Sequence, residues 1–219
     1  METVQALCAR HAVDMAHAQH VAALALQLFD ETHALHQLDV RARALIEVGA
    51  LLHNVGVEVD EANHHTVGRD IVAGAKLKGF STAERNILAC IVAFHRKAVE
   101  PEGELLFRVL NSKQQHVCLV LSALVRVADG LDYSGTQTTE IKSVKRTQPL
   151  HIKTTGPHSY DDAARAQKKA DVWVGLFGPM HLSGQIKTPG LHPDDTLAVA
   201  GRKLMRYWFA QEVIGCGYC

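Results

Sequence analysis

Apolar residues recur at three- and four-residue steps through residues 1 to about 133, the spacing of helices that bury one face. Val13, His17, Val21, Leu24 and Leu28 form one such stripe. Asp39 is placed to cap a second helix through Leu45, Ile46, Val48 and Leu52, ending near Gly56. Ser81-Thr82-Ala83-Glu84 spells a capping box, in which hydroxyl and carboxylate each satisfy an orphan backbone N–H. The helix it opens carries Ile87, Ile91 and Phe94. A last long helix is expected from about Lys113, with Val117, Leu121, Leu124 and Ala128 inward.

After Gly135 the pattern changes. Residues 136–145 and 150–155 are rich in Thr, Ile and Val with partial alternation and predict strands. Ala163, Ala166, Ala170 and Trp173 predict a helix over 160–177, stopped by Gly178-Pro179, with a further strand over 180–187. Pro189-Gly190 reads as a linker before an amphipathic helix over 194–213. The fold class expected is mainly α: a helical bundle over 1–135, a small α+β unit over 136–190, and a C-terminal helix within 191–219.

The composition leaves this picture standing. The 219 residues are 47% hydrophobic and 21% charged, enough for a sizeable core. Lys+Arg and Asp+Glu are 23 each, so net charge makes no case for DNA or for a membrane surface. The most apolar stretch, Val117 to Ala128, is broken by Ser122 and Arg126 and falls short of the roughly 20 residues a bilayer span needs. No signal-peptide pattern opens the chain. Five scattered cysteines fit reduced thiols, and a cytoplasmic location is expected. Cys216 and Cys219 form a lone CxxC, which reads either as a frayed tail or as half of a zinc or redox site.

Fourteen histidines make metal chemistry worth testing. His17 lies on an apolar stripe, where a packed core residue is the ordinary reading. His53 and His95 fall at helix C-termini, where a cation also suits the macrodipole. His64 and His65 sit in a polar stretch and read equally as solvent-exposed. Asp129 follows a very apolar run, where an unpaired carboxylate would be costly. Jointly, imidazoles and a carboxylate from separate helices are what a bundle needs for an internal metal site. Mixed N/O donors suit Mn, Fe, Ni, Zn or Mg. Among the basic residues, Arg96, Lys97 and Arg126 are the phosphate-binding candidates, with solvation as the ordinary alternative.

These segments resemble a known family. His17-Ala-Gln-His-Val21 and Leu51-Leu-His-Asn-Val-Gly56 resemble the first helix and the "LLHDIG" segment of the HD-domain superfamily. His64-His65, Gly79-Phe80-Ser81 with Glu84, Phe94-His-Arg-Lys-Ala98 and Arg126-Val-Ala-Asp-Gly-Leu-Asp132 are similar to the C-terminal region of exopolyphosphatase / guanosine pentaphosphate phosphohydrolase (Ppx/GppA) proteins. The α+β unit resembles the one placed after the HD helices in that family, most recognisably over 161–173. The stretch from His192 resembles the start of a CHAD domain. The actin-like ATPase fold of the full enzymes has no counterpart in these residues.

The resemblance implies a phosphohydrolase-like HD pocket acting on or binding polyphosphate or phosphorylated nucleotides such as (p)ppGpp. His17, His53 and Asp129 would hold a divalent metal, and Asn54, His64 and His95 would serve catalysis. His20 is an alternative first ligand. Asn54 departs from the pattern, because the aspartate of the HD doublet ligates the metal. A neutral amide there weakens cation binding. A non-catalytic polyphosphate or nucleotide-binding or interaction module, with the metal either retained or absent and a homodimer as one form of it, is therefore the alternative expectation. A purely architectural domain with core histidines is the third.

Overall fold

A helix that buries one stripe needs its free N–H groups satisfied at the start, and polar caps stand there. The computed structural model describes residues 1–185. α1 (Val4–Arg10) leads into α2 (Met15–Glu31), where the Asp14 carboxylate accepts from the N–H groups of Ala16 and His17 at 3.0 and 3.2 Å. Val13, expected on this stripe, lies before the helix. A short α3 (His33–His36) precedes α4 (Val40–Leu52), capped by Asp39, which ends at Leu52 rather than near Gly56. α5 (His64–Gly74) rises where a polar loop was one expectation. α6 (Thr82–Phe94) carries the complete Ser81/Glu84 capping box. After α7 (Leu105–Arg108), α8 (Ser112–Gly130) opens on a second capping box from Asn111 and Gln114. Caps of this kind stabilise a helix by about 1 kcal/mol each.

α8 is the axis of the core. From Val120 to Ala128 every residue on it is buried, Arg126 included. A helix apolar on all sides must be covered on all sides. α2, α4 and α6 supply one flank, while α9 (Ser159–Lys168) and α10 (Asp171–Phe177) supply the other. Gly130 permits the second contact: a Cβ there would lie 2.5 Å from the Cα of Ala166 on α9. The protein is thus mainly α with a small sheet.

The sheet has order β1-β2-β3. β1 (Glu140–Lys145) pairs antiparallel with β2 (Leu150–Thr155), which pairs parallel with β3 (Met180–Ser183). β1 starts later than the Thr-rich pattern predicted, because residues before it serve side-chain bonds instead. Gln137 N–H donates to Asp132 at 2.8 Å, and the Thr139 hydroxyl donates to Asp162. The helix expected over 160–177 breaks at Lys169-Ala170, where the N–H groups turn to carbonyls three residues back. Alanine spacing runs through the break, so periodicity alone could not reveal it. The helix over 194–213, the CHAD-like stretch and the CxxC lie outside the described residues. No helix among the described residues is long and apolar enough to cross a membrane.

Candidate metal centre

Helix ends deliver the polar side chains to one cavity. His17 projects from the first turn of α2, His53 and His95 are the C-caps of α4 and α6, His64 opens α5, and Asp129 lies in the last turn of α8. The turn after His53 is pressed against the start of α5, since a Cβ at Gly56 would lie 2.4 Å from the His64 carbonyl oxygen. That close approach sets the start of α5, and His64 with it, beside the end of α4. His53 is fully buried and His95 nearly so.

The hydrogen bonds set the tautomers. His53 Nδ1 lies 2.6 Å from the Ala50 carbonyl, His95 Nδ1 2.7 Å from Val92, and His64 Nδ1 2.6 Å from Glu61. A carbonyl oxygen only accepts, so each Nδ1 carries the hydrogen and each Nε2 presents a lone pair. His17 Nδ1 donates in the same way to the buried Asp132 carboxylate at 2.7 Å. The lone pairs then face each other in two pairs, His17 with His53 at 3.2 Å and His64 with His95 at 3.1 Å. Asp129 Oδ1 stands 3.5 Å from Nε2 of both His17 and His53. Atoms this close repel unless a proton or a cation lies between them. Ligand atoms of His17, His53 and Asp129 all fall within 4.8 Å of one another, a donor set that fits a divalent ion. Asp132, holding His17 by its far nitrogen, is the partner such ligands ordinarily have.

Basic groups surround these donors. The Lys169 ammonium, from the break between α9 and α10, contacts Asp129 Oδ2 and is largely buried. Arg96 Nη1 lies 2.9 Å from His64 Nδ1 and 3.3 Å from its Nε2. Since Nδ1–H is committed to Glu61, the guanidinium donates to Nε2. A cavity of about 430 Å³ opens over the group, lined by His17, Asn54, His64, Arg96, Arg165 and Lys169 among others. Arg165 is steadied by the Tyr133 ring, 5.0 Å from its centroid.

Two residues expected to hold phosphate stand elsewhere. Arg126 is buried and turned away from the cavity, donating to the carbonyls of Phe94 at 2.7 Å, Lys97 at 3.1 Å and Lys169 at 3.3 Å, and to Asp171 at 2.6 Å. Its guanidinium is consumed in tying α6 and the α9–α10 break to α8. Lys97 is exposed in a left-handed turn and does not line the cavity. His20, the alternative first ligand, is bonded instead to the Thr139 carbonyl oxygen at 3.0 Å.

The electrostatics arise from the packing. Burial alone would raise the Asp129 carboxyl, but the Lys169 ammonium and the bonds to His17 and His53 outweigh it and hold it well below the usual range. Burial pulls Lys169 down from its ordinary value, with Asp129 pulling the other way. For His17, burial is outweighed by Asp129 and Asp132, so its pKa is raised. Burial lowers His95 strongly and His64 less, both beside basic neighbours.

Asp132, Arg165 and Lys169 join the site without having been singled out by the sequence pattern. Asp132 had a usable signal, one turn beyond Asp129. Lys169 sits far along the chain in a lysine pair that reads as solvated surface.

Histidines and a carboxylate at the convergent ends of a helical bundle form a group that could hold a metal ion, beside a basic cavity. Residues 1–163 match the family model described as Ppx/GppA phosphatase, domain III, and the chain belongs to that family. It is 24% identical over 128 residues to a guanosine-5'-triphosphate,3'-diphosphate pyrophosphatase of Pseudoalteromonas atlantica, a match covering 58% of this chain. The matched region spans only 24% of that protein's length.

Proposed function

We propose that this chain is an HD-type, phosphohydrolase-like domain that uses a divalent ion at His17, His53 and Asp129 to take up polyphosphate or a phosphorylated nucleotide such as (p)ppGpp. The observation carrying the proposal is the approach of the His17 and His53 Nε2 atoms to 3.2 Å, both beside Asp129 Oδ1. The family and the named relative support the choice of phosphate compounds. When bound, such an ion neutralises charge on a phosphoryl oxygen and makes water more acidic. The chain's own groups do the rest. Arg96, Arg165 and Lys169 offer N–H donors to the remaining phosphate oxygens, Asn54 orients water or ligand from the cavity wall, and His95 offers a lone pair deeper in, with His64 beside it against Arg96. Scattered free thiols, Cys8, Cys90 and Cys118 among the described residues, support a cytoplasmic setting.

Asn54 at the cavity wall favours a second reading, in which the domain binds these compounds without turning them over. One series of measurements separates the two. Elemental analysis of protein purified without added metal or chelator is followed by phosphate release from polyphosphate and ppGpp with Mn²⁺ or Ni²⁺. Metal-dependent release abolished by Asp129→Asn supports hydrolysis. Metal-dependent binding without release supports the module. Protein that binds neither metal nor phosphate compound overturns both.

A further inference from the structure

The two basic side chains deepest in the cavity occupy the places a second metal ion would need. In a site with two ions, a shared carboxylate gives one oxygen to each. Asp129 directs Oδ1 toward His17 and His53, but its Oδ2 is taken by the Lys169 ammonium. The other imidazole pair also has a cation against it: Arg96 Nη1 lies 2.9 Å from His64 Nδ1 and 3.3 Å from its Nε2, the nitrogen that pairs with His95. The position after His53, where a carboxylate would attract a further cation, holds the neutral Asn54.

Neither cation is there by chance of a mobile surface chain. Lys169 is brought in by the docking of α9 against Gly130, and its backbone carbonyl is gripped by Arg126 at 3.3 Å. Arg96 comes directly after the buried His95 and also reaches the Glu61 carbonyl at 3.4 Å. An ammonium has three N–H donors. With one on Asp129, two remain for a ligand.

We propose that the pocket is built for a single divalent ion, at His17, His53 and Asp129, and that Lys169 and Arg96 are the resident cations of the second position. This rests on the metal-site reading above. The ligand class it selects is a terminal phosphoryl group, held between the ion on one side and the Lys169 and Arg96 N–H groups on the other. A resident ammonium also repels an incoming dication, so the single ion binds more weakly than its three ligands alone would allow.

The test uses the full chain, stripped of metal and titrated with Mn²⁺, with stoichiometry from equilibrium dialysis and the spin state from electron paramagnetic resonance. Wild-type protein is expected to take up a single Mn²⁺ per chain with the signal of an isolated ion. The double variant Asn54→Asp, Lys169→Met is expected to take up a second, with a spin-coupled signal. Wild-type protein that takes up a coupled pair overturns this proposal and leaves the proposed function intact, whereas wild-type protein that takes up none overturns the proposed function itself. A folded double variant that still binds a single ion, and does so with Arg96→Met added as well, also overturns this proposal. Should the double variant lose its circular-dichroism signature, Lys169→Gln decides: tightening of the first Mn²⁺ by about tenfold or more is expected from removing the neighbouring charge. Unchanged affinity in that variant overturns the assignment of Lys169.

Discussion

Replacing Arg126 by methionine separates its two conceivable duties, phosphate ligand and internal clamp. Methionine keeps most of the aliphatic stem but removes every donor. Three carbonyls, those of Phe94, Lys97 and Lys169, then lose a charged partner, as does Asp171. Asp171 is half exposed and rehydrates easily, so its share is small. Each bond from a charged donor to a buried carbonyl contributes about 1.5–3 kcal/mol. Allowing for water reaching the helix ends, the loss is about 3–5 kcal/mol, the range for breaking a buried charged contact. For a domain of this size that lowers Tm by roughly 6–20 °C. Urea unfolding followed by circular dichroism measures it, and Arg126→Lys, which keeps one donor head, should lie between. A change below ~1 kcal/mol accompanied by a large loss of phosphate affinity would refute the clamp and restore Arg126 to the ligand site.

The same geometry sets further expected outcomes. Gly130→Val forces a side chain into the backbone of Ala166 and should destabilise by about 2 kcal/mol or more; a neutral result in thermal melts would contradict the close docking of α9 on α8. Metal uptake should weaken as pH falls from 8 to 6, because His17, its pKa raised by Asp129 and Asp132, takes up a proton where a ligand lone pair is required; Mn²⁺ affinity independent of pH would count against His17 as ligand. Glu84 is held down to about 2, chiefly by its bond to Arg41. Its depressed pKa contributes stability above the ordinary carboxyl value that disappears as pH falls toward 2. Glu84→Gln should therefore be less stable than wild type at pH 7 and equal to it near pH 2, measured by urea midpoints.

Much of the helical framework was legible because it depends on local chemistry. Asp39 and the Ser81/Glu84 box cap their helices from within three residues, and an apolar stripe has to be buried against something. His17, His53 and Asp129 were nameable from chain position because each lies near the end of a helix with a buried face. Whether they meet could not be read from the chain. Their approach is set by the packing of α2 against α4 and of both against α8, contacts between residues far apart in sequence.

The basic residues show where local information ended. Arg126, Arg96, Lys97, Lys168 and Lys169 are all basic residues of long reach, and sequence alone treats them alike. Packing turned Arg126 onto carbonyl groups, left Lys97 in solvent, and carried Lys169 to Asp129 from forty residues away. The amino-acid order by itself determined the long helices α2, α4, α6 and α8, the Asp39 and Ser81/Glu84 caps, and the candidate metal donors at helix ends, because those depend on neighbours along the chain. Only the tertiary structure decided which cations share the cavity with them, because a charge is directed by whatever low-dielectric surface and opposite charge the fold brings beside it.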